Sequence, residues 1–213
     1  APRLYDLAAL QREANRSLGY TAQQTLDYLQ ALYEKKLCTY PRTDSRFLTD
    51  DLEASVPELV AVAAAICETT APEGVIARQV CDSRKVSDHH AILPTASASK
   101  ADVSVLPLGE REILRLVAGQ LLRAVCDAHR YAETAVTLEC GGAVFTVKGR
   151  TTLTPGWKQY LAQEKQDAAL PELSEGQVSD CAEAAVKEGK TTPPRHFTED
   201  TLLSAMETAG KED

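Results

Sequence analysis

The chain has 213 residues, of which 44% are hydrophobic and 25% are charged, and this balance excludes a disordered protein. No apolar run approaches the ~20 residues that a membrane-spanning helix needs, which argues against a membrane protein. The formal net charge of -8 repels nucleic acid at long range, so binding of DNA would depend on local groups of basic residues.

Two amphipathic helices are predicted before position 37. Apolar residues recur at helical spacing from Arg3 to Leu18, and Gly19 is a natural end for that helix. Thr21 and Gln24 form a capping-box pattern that begins a second helix. Its predicted buried face consists of Leu26, Leu29, Leu32 and Tyr33. The segment 37–40 then reads as extended, so the second helix would support position 40 directly.

The stretch TYPRTDS, residues 39–45, is the strongest sign of chemistry. Because Pro41 disfavours helical backbone for the residue before it, Tyr40 is predicted to be extended and to share a face with Arg42. A free phenol titrates near pH ~10, so Tyr40 needs help from a neighbouring charge, metal or base to act as a nucleophile. Arg42 can bind phosphate oxygens and offset charge that develops during attack. A tyrosine that merely packs ahead of a capped turn is the simpler alternative.

Helices are also predicted in the middle of the chain, separated by a region of weak periodicity. Thr49 begins one helix, and residues 57–67 form another. Residues 69–95 read as loops, which are frequent places for binding residues. Apolar spacing over 110–126 predicts a long amphipathic helix. Its buried residues are predicted to be Ile113, Leu114, Val117, Leu121, Leu122 and Val125.

From position 131 the pattern changes to strands. Residues 131–140 and 143–153 are rich in valine, threonine and aromatic residues, and the two glycines between them indicate a hairpin. Residues 177–187 alternate in part and predict a third strand. Thr198 is predicted to cap a final helix.

These elements predict an α+β fold, with a mainly helical tyrosine-bearing domain followed by an antiparallel β-rich segment. The expected boundaries are 1–127 for the helical domain and 128–196 for the β-rich segment. Residues 197–213 would begin a following helical domain that is truncated.

Two other features invite functional interpretations. His89 and His90 are adjacent, so their side chains diverge and form a poor chelate for one metal ion. No metal site is therefore predicted. Trp157 could stack on an unpaired base, but after a strand and a Pro-Gly pair we expect it to anchor the hydrophobic side of a sheet. Six widely spaced cysteines without a CxxC pair indicate reduced thiols of a cytoplasmic protein.

Three stretches resemble, in the right order, the signatures of type IA DNA topoisomerases. They are TYPRTDSRFL at 39–48, DHHAILPT at 88–95 and PPRHFTEDTLLSAMETAGK at 193–211. The proline after the tyrosine and the HHAI sequence are closer to the topoisomerase III branch than to the topoisomerase I branch. The β-rich segment would then be part of the family's arch, which forms its DNA gate.

The resemblance implies that Tyr40 attacks one strand of DNA and forms a 5′-phosphotyrosyl intermediate. Rejoining needs no ATP, because the covalent link conserves the bond. The implied catalytic residues are Tyr40, Arg42 and His89. The candidate DNA-binding residues are Arg42, Arg46, Arg84, Lys85, His89 and His90. Expected partners are single-stranded DNA, on the nucleoid or a plasmid, and the remaining domains of a bacterial parent enzyme.

In this family, Mg²⁺ is held by a preceding domain called Toprim. Residues 1–39 read as two helices without an acidic cluster, so we expect no metal in this chain and an excised fragment that is inactive alone. Exposure of former domain contacts could also make the fragment self-associate.

Two other classes of function stay open. The chain could be a non-catalytic DNA-binding or protein-docking module that merely retains Tyr40. Tyrosine recombinases also form a phosphotyrosine, but their tyrosine lies near the C-terminal end of the domain, whereas Tyr40 is early.

Overall fold

Five α-helices and one β-hairpin occur among residues 1–161, 169–181, 183, 185–186 and 188–209, which the computed structural model describes. The helices are α1 (Leu7–Leu18), α2 (Ala22–Glu34), α3 (Val56–Ile66), α4 (Leu108–Ala124) and α5 (Glu199–Thr208). The strands are β1 (Arg130–Cys140) and β2 (Ala143–Thr154). The α+β class is therefore confirmed. None of the helices within these residues is long and apolar enough to cross a membrane.

One hydrophobic core joins α1, α2, α3 and α4. The face predicted for the fourth helix is confirmed, since each of its six apolar residues is no more than 1% exposed. Burial of a side chain of this size contributes ~1.5–3 kcal/mol, so α4 is a major source of stability. It contacts both α2 and α3, and these contacts place the residues before and after α2 on a rigid body.

The first helix begins later than predicted. Residues 3–6 are not helical, because Tyr5 forms an isolated antiparallel bridge with Ile92. Asp6 instead caps α1 by accepting a hydrogen bond from the Ala9 amide at 2.7 Å. The capping box of α2 is present as predicted, with Thr21 and Gln24 bonded to each other's backbone. A distant β-bridge has therefore overridden the local helical pattern in the first turn.

The hairpin is confirmed, and it projects from the helical core. β1 pairs antiparallel with β2, with Cys140 opposite Ala143. Gly141 and Gly142 have φ angles of 58° and 79°, which favour glycine at both turn positions. Within the two strands, Gly149 is the buried residue.

The predicted third strand is wrong. Residues 177–181, 183, 185 and 186 carry no strand, and Ala182, Ala184 and Lys187 lie outside the described residues. The segment is rich in alanine and acidic residues, which have low β propensity, and these outweigh its partial alternation.

The last helix is attached to the core by polar contacts. Arg12 of α1 donates from Nε to Asp200 Oδ1 at 2.9 Å and from Nη1 to Glu207 Oε2 at 3.1 Å. The amide of Asp200 also donates to Asn15 Oδ1 at 3.2 Å. No residue of α5 is buried among those described. Ion pairs and hydrogen bonds therefore attach α5 to α1, without a buried apolar residue of α5.

Replacing Arg12 by alanine is expected to loosen α5 while leaving the core intact. Charged contacts at a surface contribute up to ~1 kcal/mol, so amide hydrogens of α5 should exchange about fivefold faster. Hydrogen exchange read by mass spectrometry measures this effect. Arg16→Ala is the matched control, because Arg16 pairs within α1 with Glu13. Equal protection of α5 in both variants would show that the contact does not hold the helix.

Candidate active site

The backbone that carries Tyr40 comes straight from α2. Lys36 adopts a left-handed φ of 61° that turns the chain out of the helix, and the Leu37 amide donates to Leu32 O at 2.8 Å. Cys38 then forms an antiparallel bridge with Pro94, and the Thr39 amide donates to Leu93 O at 3.0 Å. Of the extended segment predicted over 37–40, Cys38 and Thr39 show this pairing with the second motif, whereas Leu37 lies in a bend.

Threonine side chains connect the two motifs further. Thr39 Oγ1 accepts a hydrogen bond from the Leu93 amide at 2.9 Å. Thr43 Oγ1 donates to the carbonyl of His89 at 2.8 Å. The Ala91 amide donates to Phe47 O at 2.9 Å. These bonds fix residues 39–47 against residues 89–93 and so set the position of His89 relative to Tyr40.

The half-buried ring of Tyr40 lies between two other rings. Its centroid is 4.2 Å from that of His89, at an interplanar angle of 36°. Tyr33 meets it edge to face at 5.6 Å. Tyr33 is 40% exposed, so its predicted place in the buried face of α2 is wrong. These two ring contacts hold the half-buried side chain of Tyr40 in place.

A cleft of about 420 Å³ adjoins this group of rings at His89, and both Arg42 and His89 line it. Arg42 is exposed and donates from Nη1 to Gln30 Oε1 at 3.0 Å. The rest of the wall consists of one apolar residue, Leu7, and the polar residues Thr43, Asp44, Ser87 and Asp88. The three predicted catalytic residues thus form a connected group, in which His89 contacts Tyr40 and shares the cleft with Arg42.

The other candidate DNA-binding residues lie outside the lining of this cleft. Arg84 Nε and Lys85 Nζ lie 3.0 and 3.2 Å from the Asp82 carboxylate. These hydrogen bonds, first from Arg84 and then from Lys85, hold the pKa of Asp82 well below its usual range. Arg46 donates from Nε to Leu4 O at 3.1 Å, and His90 Nδ1 lies 2.8 Å from Ala91 O. Local carboxylates thus compete with any phosphate for the two paired cations.

Sequence reasoning missed the residues that hold the site together. Gln30 positions Arg42, Tyr33 contacts Tyr40, and the two threonines connect the motifs. Gln30 and Tyr33 are three residues apart on α2 and so share one face, which was an available signal. The threonine contacts depend on pairing between distant segments, and helical or strand periodicity does not reveal them.

The part of the chain that the structure describes holds no group of three or more His, Cys, Asp or Glu side chains that could bind a metal ion. These residues therefore do not provide the set of ligands that a divalent cation needs. The cleft itself offers the guanidinium of Arg42 and the imidazole of His89, and the phenol of Tyr40 adjoins it through the ring contact with His89.

Comparison with known proteins gives a consistent picture. The profile of a family described as DNA topoisomerase matches residues 1–210. DNA topoisomerase 3 of Bacillus subtilis is 40% identical over 222 residues, covering 97% of this chain and 30% of that protein. DNA topoisomerase 3 of Vibrio cholerae is also 40% identical, covering 97% of this chain and 33% of its own length. The chain therefore spans about a third of these relatives.

A solved structure shares the fold. Full-length topoisomerase I from Thermotoga maritima aligns with 98% of this chain and 35% of its own, with a TM-score of 0.68 and 22% identity. At this identity the likeness concerns the arrangement of the elements alone.

Proposed function

Because this chain belongs to the type IA DNA topoisomerase family, we propose that it carries the nucleophile of an enzyme that cleaves and rejoins one DNA strand. The observation that carries the proposal is the contact between the rings of Tyr40 and His89 beside a cleft that Arg42 also lines. Formation of a phosphotyrosyl ester requires a phenol nucleophile with cationic or hydrogen-bonding groups nearby to bind the phosphate, and Arg42 and His89 are suited to that role.

In the proposed reaction, the Tyr40 oxygen bonds to the phosphorus of a phosphodiester in single-stranded DNA. The bond from phosphorus to the 3′ oxygen breaks, so the 5′ phosphate becomes an ester of Tyr40. The phenol loses a proton and the departing 3′ oxygen gains one, which leaves the step balanced. Attack by the 3′ hydroxyl reverses it. The ester stores the bond, so rejoining needs no ATP.

Arg42 and His89 have separate roles in this proposal. Arg42 binds the nonbridging phosphate oxygens, and Gln30 holds its guanidinium at the edge of the cleft. His89 contacts the Tyr40 ring and donates a hydrogen bond to the phosphate, which an imidazole can do in either charge state. Fixed donors favour the transition state because they need no rearrangement as charge develops.

The family uses Mg²⁺, and the described residues do not provide a set of ligands for this ion. In the proposed parent enzyme the ligands of Mg²⁺ belong to another domain.

We assign residues 1–127 to the tyrosine domain, 128–196 to the arch and 197–213 to the start of the next domain. The partners of this chain would be single-stranded DNA and the remaining domains of the parent enzyme. Exposed apolar residues of the hairpin, including Val144 and Phe145, would favour self-association of the chain.

The 213-residue chain alone is expected not to relax supercoiled plasmid in the presence of Mg²⁺, because it spans about a third of its relatives. Agarose gel electrophoresis of the plasmid measures the result, and a full-length relative serves as the positive control. Robust turnover by the chain alone would contradict the proposed division of labour between domains.

The proposed function is tested by locating the covalent bond. The parent enzyme is given an oligonucleotide that carries its label 3′ to the cleavage point, in the fragment that keeps the 5′ phosphate. Denaturant then traps the ester. Peptide mapping should place the DNA on Tyr40. DNA on any other residue would refute the proposal. Cleavage that persists after Tyr40 is replaced would favour the alternative, a docking module without chemistry.

A further inference from the structure

A second cavity, of about 470 Å³, lies between α1, the end of α4 and the turn that follows β2. Tyr5, Arg46, Arg123 and Trp157 are among the residues that line it. It shares no lining residue with the cleft beside Tyr40. Its volume is within the ~300–1,000 Å³ that is usual for sites of small molecules. The cavity is therefore a separate candidate binding site.

The cavity contains one arginine that no carboxylate of the described residues pairs with. Four arginines line it, namely Arg12, Arg16, Arg46 and Arg123, against three carboxylates, namely Asp6, Glu13 and Glu207. Arg12 binds Glu207 and also Asp200, which lies outside the lining. Arg16 binds Glu13, and Arg46 Nε lies 4.0 Å from Asp6.

The remaining cation, Arg123, has neutral partners. It donates from Nη2 to Gln120 Oε1 at 2.7 Å and to the phenol of Tyr5 at 3.5 Å. Burial raises the pKa of Tyr5 to about 12, so this phenol does not neutralise the guanidinium at neutral pH. Arg123 is thus held in a defined orientation while its charge stays available to an anion.

Trp157 supplies a flat apolar wall to the same cavity. It does not occupy the place predicted for it on the sheet, because it lies in a 3-10 turn, Gly156–Tyr160, that contacts α4. Gly156 has a φ of 51°, and a Cβ there would lie 2.5 Å from the carbonyl oxygen of Ala128. The Trp157 amide donates to Asp127 O at 3.0 Å. The indole is therefore carried by a backbone that is tightly fixed.

We propose that this cavity binds one nucleotide unit, with its phosphate on Arg123 and Arg46 and its base against Trp157. A guanidinium is suited to phosphate oxygens, and stacking of a base on an aromatic ring contributes ~1–3 kcal/mol. A free nucleotide and one residue of a single DNA strand present this same chemistry. The site goes beyond the strand cleavage proposed for Tyr40, since it needs no chemical step.

The chain contains a built-in reporter, because Trp157 is its single tryptophan. Its fluorescence is titrated, at low salt and without metal, with deoxyadenosine monophosphate, an eight-residue single-stranded oligonucleotide and inorganic phosphate. We expect saturable quenching by the first two, with phosphate binding at least about tenfold more weakly. Tighter binding of the oligonucleotide would identify single-stranded DNA as the ligand, and equal binding would identify a free nucleotide. No saturable quenching, or equal binding of phosphate, would overturn the proposal.

Arg123→Gln should weaken the binding of deoxyadenosine monophosphate by about tenfold, as expected for loss of a charged phosphate contact. Arg115→Gln is the matched control, because Arg115 is on the same helix and pairs with Glu68. Circular dichroism checks that each variant is folded. If Arg123→Gln unfolds, Arg46→Gln replaces it, with a severalfold loss expected. Unchanged affinity in a folded variant would refute the site, and it would leave the assignment of Tyr40 untouched because no cleavage is measured.

Discussion

Replacing Tyr40 by phenylalanine in the parent enzyme is expected to abolish both the covalent protein–DNA complex and DNA relaxation. The substitution removes only the phenol oxygen, which is the proposed nucleophile. The ring contacts with His89 and Tyr33 would stay, so the fold and the affinity for single-stranded DNA should be nearly unchanged. Trapping with denaturant measures the covalent complex, and a gel-shift assay measures binding.

Tyr33→Phe is the matched control for this variant. Tyr33 belongs to the same group of rings and meets Tyr40 edge to face. Its hydroxyl group has no role in the proposed reaction. It should therefore retain covalent complex formation. Our assignment of the nucleophile would be wrong if the Tyr40→Phe enzyme still formed the complex. It would also be wrong if the Tyr33→Phe enzyme lost the complex completely.

Arg42→Ala is expected to lower the rate of single-turnover cleavage by ~10²–10³, which is the usual effect of removing one fixed donor from a developing anion. Arg42→Lys should recover only part of this loss, because an ammonium lacks the planar two-pronged geometry of a guanidinium. The rate is measured with saturating oligonucleotide, so that weaker binding does not contribute.

Two further variants separate a role in chemistry from general loss of charge. Arg115→Ala removes a paired surface cation on α4 and should leave the cleavage rate within about twofold. Gln30→Ala removes the hydrogen bond that orients Arg42 and should have an intermediate effect. A cleavage rate of Arg42→Ala equal to that of Arg115→Ala would exclude Arg42 from the reaction.

The sequence predicted elements well where their signals were local. The capping box of α2, the two glycines of the hairpin and the apolar face of α4 act within a few residues, and all three are present. The first turn predicted for α1 failed because Tyr5 pairs with Ile92, a partner far away in the chain. Long-range pairing is not visible in periodicity, and it decides cases in which helix propensity is weak.

In the candidate site, too, local features were predicted and contacts between distant segments were not. The motif predicted an extended Tyr40 next to Arg42, and the resemblance added His89 from a separate stretch. The contact between Tyr40 and His89 depends on the pairing of Thr39 and Thr43 with the second motif. The pairing of Arg84 and Lys85 with Asp82 also could not be predicted from charge counts, because it depends on a local turn.

The hydrogen bonds between residues 39–47 and 89–93 have a consequence for how mutations combine. A substitution on one side alters the geometry of the other, so free-energy changes measured one residue at a time should not sum. Thr43 and His89 are a direct case, since the hydroxyl of one binds the backbone of the other. Their individual contributions become separable only in a double-mutant cycle, because the two motifs form a single energetic unit.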